Sequence, residues 1–161
     1  MNYETYRNRV AATFPDREPF EWEGITVFQE DVFRLYWLSR VRFFTFLADS
    51  EKIDLEELDN YARACVGYAT KHRNKPAGIV VVNAALAAPK ATKDALAFAD
   101  ARPRRRNTSD EFPVAVDLKK GEAHYYTGPI VYGLLYERFE RAYIHRHLVA
   151  PLREEIEAPR P

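Results

Sequence analysis

Four β-branched residues follow one another from Ile79 to Val82, with no polar residue between them. A strand with one face in water alternates apolar and polar residues, so an unbroken run is typical of a central strand that is covered on both faces. Before this run, Asp54 and Glu57 form a D-x-x-E capping box that predicts the start of a helix. After it, "ATKDALAFAD" predicts a second, short helix. The chain therefore predicts a sheet with helices packed on it.

The stretch "VFRLYWLSRVRFFTFLA", residues 32 to 48, is the most aromatic run of the chain. Side chains alternate between the faces of a strand, and Arg34, Arg40 and Arg42 all have even numbers. We therefore expect the three arginines on one face, unless a turn near Ser39 resets the register. We interpret the stretch as two antiparallel strands that extend a first strand, residues 20–28, into a three-stranded meander.

The remaining segments complete the expected order of elements. Apolar spacing predicts a helix over residues 2–14 and a last long helix from Ile130 to Leu148, and a hairpin is expected around Lys119, Lys120 and Gly121. The fold class is α+β, with one mixed sheet of about five or six strands and flanking helices in the order α-β-β-β-α-β-α-β-β-α. We expect one domain over residues 1–150 and a frayed tail over 151–161.

Charge and cysteine content exclude several classes of protein. The 161 residues carry 24 Lys and Arg against 24 Asp and Glu, so a basic or acidic field over the whole surface is not expected. Cys65 is the single cysteine, which excludes a disulfide framework and fits a reducing, cytoplasmic compartment. No signal peptide is expected at the N-terminus, and no apolar run reaches the length of a membrane span.

Arginines supply the first candidate site. Arg104, Arg105 and Arg106 follow one another in an expected loop, where guanidinium groups could bind the phosphates of a nucleic acid. Together with Arg34, Arg40 and Arg42, a sheet face that also carries aromatic rings would resemble a stacking platform for single strands. The alternatives are a solvated loop balanced by nearby acids, and a sheet face that is covered by helices.

The segment "DEFPVAVDLKK" supplies a second candidate. Asp110, Asp117 and Lys119 loosely resemble the D…(D/E)-x-K arrangement of restriction-endonuclease-like nucleases. That resemblance implies that two carboxylates hold a Mg²⁺ ion and that the lysine assists the attacking water. The alternative is structural, because "DLKKGE" is also a good tight-turn sequence.

Metal and cofactor motifs are missing from the sequence. His145 and His147 are two residues apart on the last helix, so they point about 200° apart and cannot share a metal. The chain has six glycines and neither a glycine-rich dinucleotide motif nor a P-loop. We therefore expect no metal site and no cofactor, and we favour a protein that is not an enzyme.

The order of elements also resembles small homodimeric secretion chaperones, which use a sheet and flanking helices to hold an extended segment of a partner. This resemblance implies a non-enzymatic intracellular binding module that holds a protein partner or associates with itself as a homodimer. Aromatic residues are the expected interface, since tyrosine is favoured there. They are Tyr36, Phe44, Tyr132, Tyr136 and Tyr143. The alternative is a nucleic-acid-associated protein and, in its extreme form, the Mg²⁺-dependent nuclease.

Overall fold

The computed structural model describes residues 1–15, 17–34, 39–72, 79–102, 104–106, 109–128 and 134–153, with the backbone alone at 33–34, 39–40, 79, 104–106 and 134–138. These residues form four α-helices and seven strands, which are named here in chain order: α1 (Tyr3–Ala12), β1 (Phe20–Trp22), β2 (Ile25–Arg34), β3 (Ser39–Asp49), α2 (Leu55–Lys71), β4 (Ile79–Ala88), α3 (Lys93–Ala99), β5 (Arg104–Arg106), β6 (Ser109–Asp117), β7 (Glu122–His124) and α4 (Leu134–Ile144). A π-helical segment (His145–Val149) and a 3₁₀ turn (Ala150–Leu152) continue α4.

The strands form one mixed sheet in the order β1-β2-β3-β4-β6-β5, and β7 pairs with β6 off this path. β1, β2 and β3 are an antiparallel meander, whereas β4 runs parallel to both β3 and β6. The α+β class, the mixed sheet and the order of elements are therefore confirmed. β4 contains the β-branched run and has a parallel neighbour on each side, as expected for a central strand.

Helices cover the sheet on both faces. Val81 and Ala85 of β4 pack with Tyr6 of α1 and Ile144 of α4 in one fully or almost fully buried cluster. Val80 and Val82 point the other way and pack against α2. Because residues of both parities along β4 are buried, an unpaired polar residue at either parity would be costly. Asn83 is the one polar residue of this strand, and its Nδ2 donates to the Thr45 hydroxyl at 3.4 Å.

The predicted capping box at the start of α2 is half formed. Asp54 caps the helix, since its Oδ1 accepts a hydrogen bond from the Glu57 backbone N–H at 3.0 Å. The Glu57 carboxylate does not return to Asp54; it accepts a hydrogen bond from the Ser50 hydroxyl at 2.6 Å instead. The Glu57 side chain therefore links α2 to Ser50, the residue that follows β3. Leu55, the first residue of α2, is 44% exposed.

Three local expectations differ from the structure. Arg104–Arg106 is a strand and not a loop, because it pairs with the start of β6. β2 continues unbroken from Ile25 to Arg34, so the segments expected as separate strands on either side of residue 30 are one strand. The segment from residue 145 winds as a π-helix rather than continuing as α-helix.

The C-terminal end of the described chain packs into the core. Leu152 is buried in the same cluster as α1 and α4, whereas residues 154–161 lie outside the described residues, so the domain boundary at residue 150 stays a prediction. Within the described part of the chain, no helix is both long and apolar enough to cross a membrane.

Candidate binding site

The arginines of the central hairpin do not form one basic face. The strand register places residue 34 opposite residue 39 and residue 40 opposite residue 33. Cross-strand partners share a face and neighbours along a strand alternate, so position 34 lies on the opposite face from positions 40 and 42. The expectation of a shared face was therefore wrong for Arg34, because β2 and β3 pair with an even-numbered residue opposite an odd-numbered one.

Arg42 is engaged within the protein. Its Nε and Nη2 atoms donate to the two carboxylate oxygens of Asp31 at 2.5 and 2.6 Å, and the side chain is 12% exposed. This bidentate pair raises the pKa of Arg42. The two guanidinium N–H groups of Arg42 that could bind a phosphate are therefore already bound to the Asp31 carboxylate.

The arginine triplet lies at one edge of the sheet. β5 pairs with β6 so that Arg104 stands opposite Glu111 and Arg105 opposite Asp110. The side chains of Arg34, Arg40 and the triplet are outside the described part of the structure. Their phosphate-binding role stays a prediction, and the register places an acid opposite two of the three arginines in the triplet.

The aromatic residues that were expected at an interface lie in different environments. Phe44 is fully buried beneath α2, so it is not available to a partner in this structure. Tyr143 is 6% exposed and stacks on Phe43 at 4.0 Å between ring centres. Tyr36 and Tyr132 lie outside the described residues, and of Tyr136 only the backbone is described.

The carboxylates of the nuclease-like pattern lie far apart. Asp110 and Asp117 are seven residues apart on one strand, about 23 Å at the rise of a β-strand, so they cannot hold one metal ion together. Asp117 is 4% exposed and accepts a hydrogen bond from the Lys120 backbone N–H at 2.9 Å, which forms the tight turn into β7. Lys119 is exposed in this turn. Among the described residues, no group of three His, Cys, Asp or Glu side chains could hold a metal.

The best-defined unoccupied edge in the described sheet belongs to β2. β1 has only three residues, and Glu23 and Gly24, with φ angles of 50° and 79°, connect it to β2 in a two-residue hairpin. The register of the hairpin ends with Phe20 opposite Val27, so residues 28–34 extend beyond β1. In a two-residue hairpin the closing pair, here Trp22 and Ile25, exchanges hydrogen bonds. Odd-numbered residues of β2, such as Gln29, therefore direct backbone N–H and C=O groups to this edge.

A buried histidine lies beside that edge. His147 is 4% exposed, and its ring stacks on Phe14 with 4.1 Å between ring centres. Burial lowers the pKa of His147 to about 3, helped by the charge of Arg146, so the imidazole is neutral near pH 7. The ring sits in the π-helical segment, a kind of helix that is frequent at functional sites.

Thr13 determines which nitrogen of His147 carries the proton. The Thr13 hydroxyl donates to the Val10 carbonyl at 2.7 Å, and the same oxygen lies 2.7 Å from His147 Nδ1. Since a hydroxyl has one proton to donate, Nδ1–H is the donor in the second contact. The other nitrogen, Nε2, therefore keeps its lone pair and can accept a hydrogen bond.

Two connected recesses open at His147. The larger has a volume of about 320 Å³ and an apolar side formed by Val32, Phe139 and Ala142. The smaller, of about 180 Å³, lies against Thr13, Phe14 and Arg17. Glu30, Arg146 and His147 line both recesses, which we call together the His147 cavity. It brings one carboxylate, two guanidinium groups and a neutral imidazole to the helix-covered side of the β2 edge.

Comparison with known proteins gives no relative. No family model matches the chain, and neither the curated proteins nor the solved structures contain a match.

Sequence reasoning did not identify the His147 cavity. Its residues come from three places, the end of α1, the middle of β2 and the end of α4, so no local spacing connects them. Glu30 lies between Phe28 and Val32 on the core-facing side of β2, and this is the one signal that could have suggested a site.

Proposed function

We propose that this protein is a non-enzymatic binding module that holds an extended segment of a partner protein. The segment adds to the sheet as a further strand along residues 28–34 of β2. The observation that supports this proposal is the length of β2, whose last seven residues continue past the end of β1.

Backbone chemistry favours an extended segment over other partners. A strand that ends a sheet offers a row of N–H and C=O groups, and strand addition is a recurrent mode of peptide recognition. The partner's main chain supplies affinity, and pockets beside the edge read alternate side chains. The His147 cavity is such a pocket, because Glu30 and Val32 line it and belong to the same strand.

Aromatic residues support an interface at the adjoining edge strand. Phe20 of β1 is 37% exposed, and Trp22 packs on Tyr68 with 4.5 Å between ring centres. Tyr68 stacks in turn on His72 at 3.9 Å. Half-exposed tryptophan and tyrosine are the residues on which binding energy concentrates, so a partner that lies along β2 can continue onto these rings.

Selection of a peptide tests the proposal. A library of random peptides is displayed and selected on the full chain, and the affinity of the best peptide is measured by fluorescence anisotropy. We expect Gln29→Pro to weaken binding at least tenfold, because proline removes the N–H that residue 29 directs to the edge. Gln29→Ala, which keeps this N–H, should bind within about twofold of wild type.

Amide exchange and mass determination complete the test. Binding should slow hydrogen exchange at residue 29 in the complex, and circular dichroism should show that Gln29→Pro is folded. If the selected peptide binds both Gln29 variants alike, the strand-addition proposal is wrong. Sedimentation of the free chain separates a second copy from a foreign partner: a dimer that Gln29→Pro dissociates would make self-association the role of this edge.

A further inference from the structure

The polar residues of the His147 cavity surround a buried aromatic wall. Tyr143 is 6% exposed and lines the larger recess, and its hydroxyl is enclosed beside Glu30 and Thr45. The polar residues that line both recesses, and that a ligand would meet, are Glu30, Arg146 and His147.

Opposite charges flank this hydroxyl. Burial and then the Glu30 charge raise the pKa of Tyr143, while Thr45 and, more weakly, the Arg146 charge oppose this shift. The two charged residues line both recesses, yet no ion pair joins them within the described part of the chain. A cavity that keeps separate opposite charges beside one polar group is complementary to a ligand with separate opposite charges.

The remaining residues of the cavity determine the size and the apolar character of the ligand. Val32 and Phe139 give the larger recess an apolar side, and its volume of about 320 Å³ lies within the range of small-molecule sites. His147 contributes a second acceptor, because its Nδ1 proton is directed to Thr13. Arg17 adds a second guanidinium to the smaller recess.

We propose that the His147 cavity binds a small zwitterion, an apolar body that carries both an ammonium and a carboxylate, as a free apolar amino acid does. Glu30 and His147 accept from the ammonium, and Arg146 and Arg17 donate to the carboxylate. The apolar body packs on Phe139 and Val32. This site does not require an added strand.

Titration of the full chain with L-phenylalanine tests the inference. Binding is followed by chemical-shift changes of the backbone amides at Glu30, Tyr143 and His147. Phenethylamine lacks the carboxylate and leaves the arginines unpaired, whereas phenylacetate lacks the ammonium and leaves Glu30 unpaired. We expect both to bind at least tenfold more weakly than phenylalanine, since a site built to pair a polar group rejects an analogue without it.

Variants identify the site. Glu30→Gln should weaken phenylalanine binding about tenfold or more, whereas Glu51→Gln, which changes an exposed acid elsewhere, should leave it unchanged. Equal binding of phenylalanine and phenethylamine would overturn the proposal in favour of an amine site, and equal binding of phenylacetate in favour of an anion site. Absence of binding by all three compounds would overturn it altogether.

Discussion

The Nδ1 atom of His147 lies 2.7 Å from the Thr13 hydroxyl oxygen, although 134 residues separate the two in the sequence. This contact joins the end of α1 to the π-helical segment beside the cavity. It fixes the tautomer of the histidine and therefore leaves Nε2 as an acceptor.

Replacement of Thr13 by valine should destabilise the protein. Valine has nearly the same shape but cannot accept from the His147 Nδ1–H, which is then buried without a partner. We expect the free energy of unfolding to fall by about 1–3 kcal/mol in urea denaturation. Thr13→Ser keeps the hydroxyl, so its free energy of unfolding should fall clearly less. An equal decrease in both variants would contradict the hydrogen bond.

The stability of the protein should depend on pH through His147. Its pKa is lowered to about 3 in the folded state, while the unfolded chain has the ordinary value near 6.5. Above pH 6.5 the histidine is neutral in both states and the stabilisation is complete. Between pH 6.5 and 3 the unfolded state alone binds the proton, so the free energy of unfolding falls by about 1.4 kcal/mol per pH unit.

Comparison with His147→Gln isolates this effect from the other titrating groups. Urea denaturation of both proteins at pH 7, 6, 5 and 4 should show a steeper loss of stability in wild type. In NMR spectra the imidazole of His147 should not titrate down to pH 4. Titration near pH 6.5 would show that the ring is not buried as described.

Two buried tyrosines should respond differently to loss of the hydroxyl. The Tyr6 hydroxyl donates to the Leu148 carbonyl at 2.8 Å, whereas the Tyr143 hydroxyl has no hydrogen-bond partner in the described part of the structure. Tyr6→Phe should lower the free energy of unfolding by about 1–2 kcal/mol, and Tyr143→Phe should leave it unchanged or raise it. Thermal and urea denaturation of the pair provide the measurement, and the reverse order would refute the assignment.

Arg42 should not tolerate lysine, because one ammonium cannot reproduce the two parallel hydrogen bonds to Asp31. We expect Arg42→Lys to lower the free energy of unfolding by about 1–2 kcal/mol. Arg63→Lys is the matched control: Arg63 pairs with Asp59 at 2.7 Å on the surface of α2 and is 55% exposed. That change should cost less than about 0.5 kcal/mol.

Nucleic-acid binding remains the alternative function, and it has a direct test. Arg104 and Arg105 stand opposite acids in the register of β5 and β6, so we expect no salt-dependent binding of short DNA or RNA in fluorescence anisotropy. Binding that weakens with salt, and that drops when Arg104, Arg105 and Arg106 are all changed to alanine, would favour the nucleic-acid function over the protein-binding one.

The sequence by itself determined the elements whose signals are local. The β-branched run at Ile79 needs cover on both faces wherever it stands, and the Asp54 cap acts on a backbone N–H three residues away, so both could be read from short windows. The same holds for the hairpin between β6 and β7, where Gly121 adopts a φ of 69°.

Only the tertiary structure decided which residues meet. A one-residue change of register moves a side chain to the other face, so the pairing of β2 with β3 determined that positions 34 and 40 lie on opposite faces. Arg104 to Arg106 pair as a strand because β6 offers an edge, which no property of the triplet indicates. The meeting of Thr13, Glu30 and His147 at one cavity depends on how two helices pack on one strand, and contacts over such distances leave no periodic trace in the sequence.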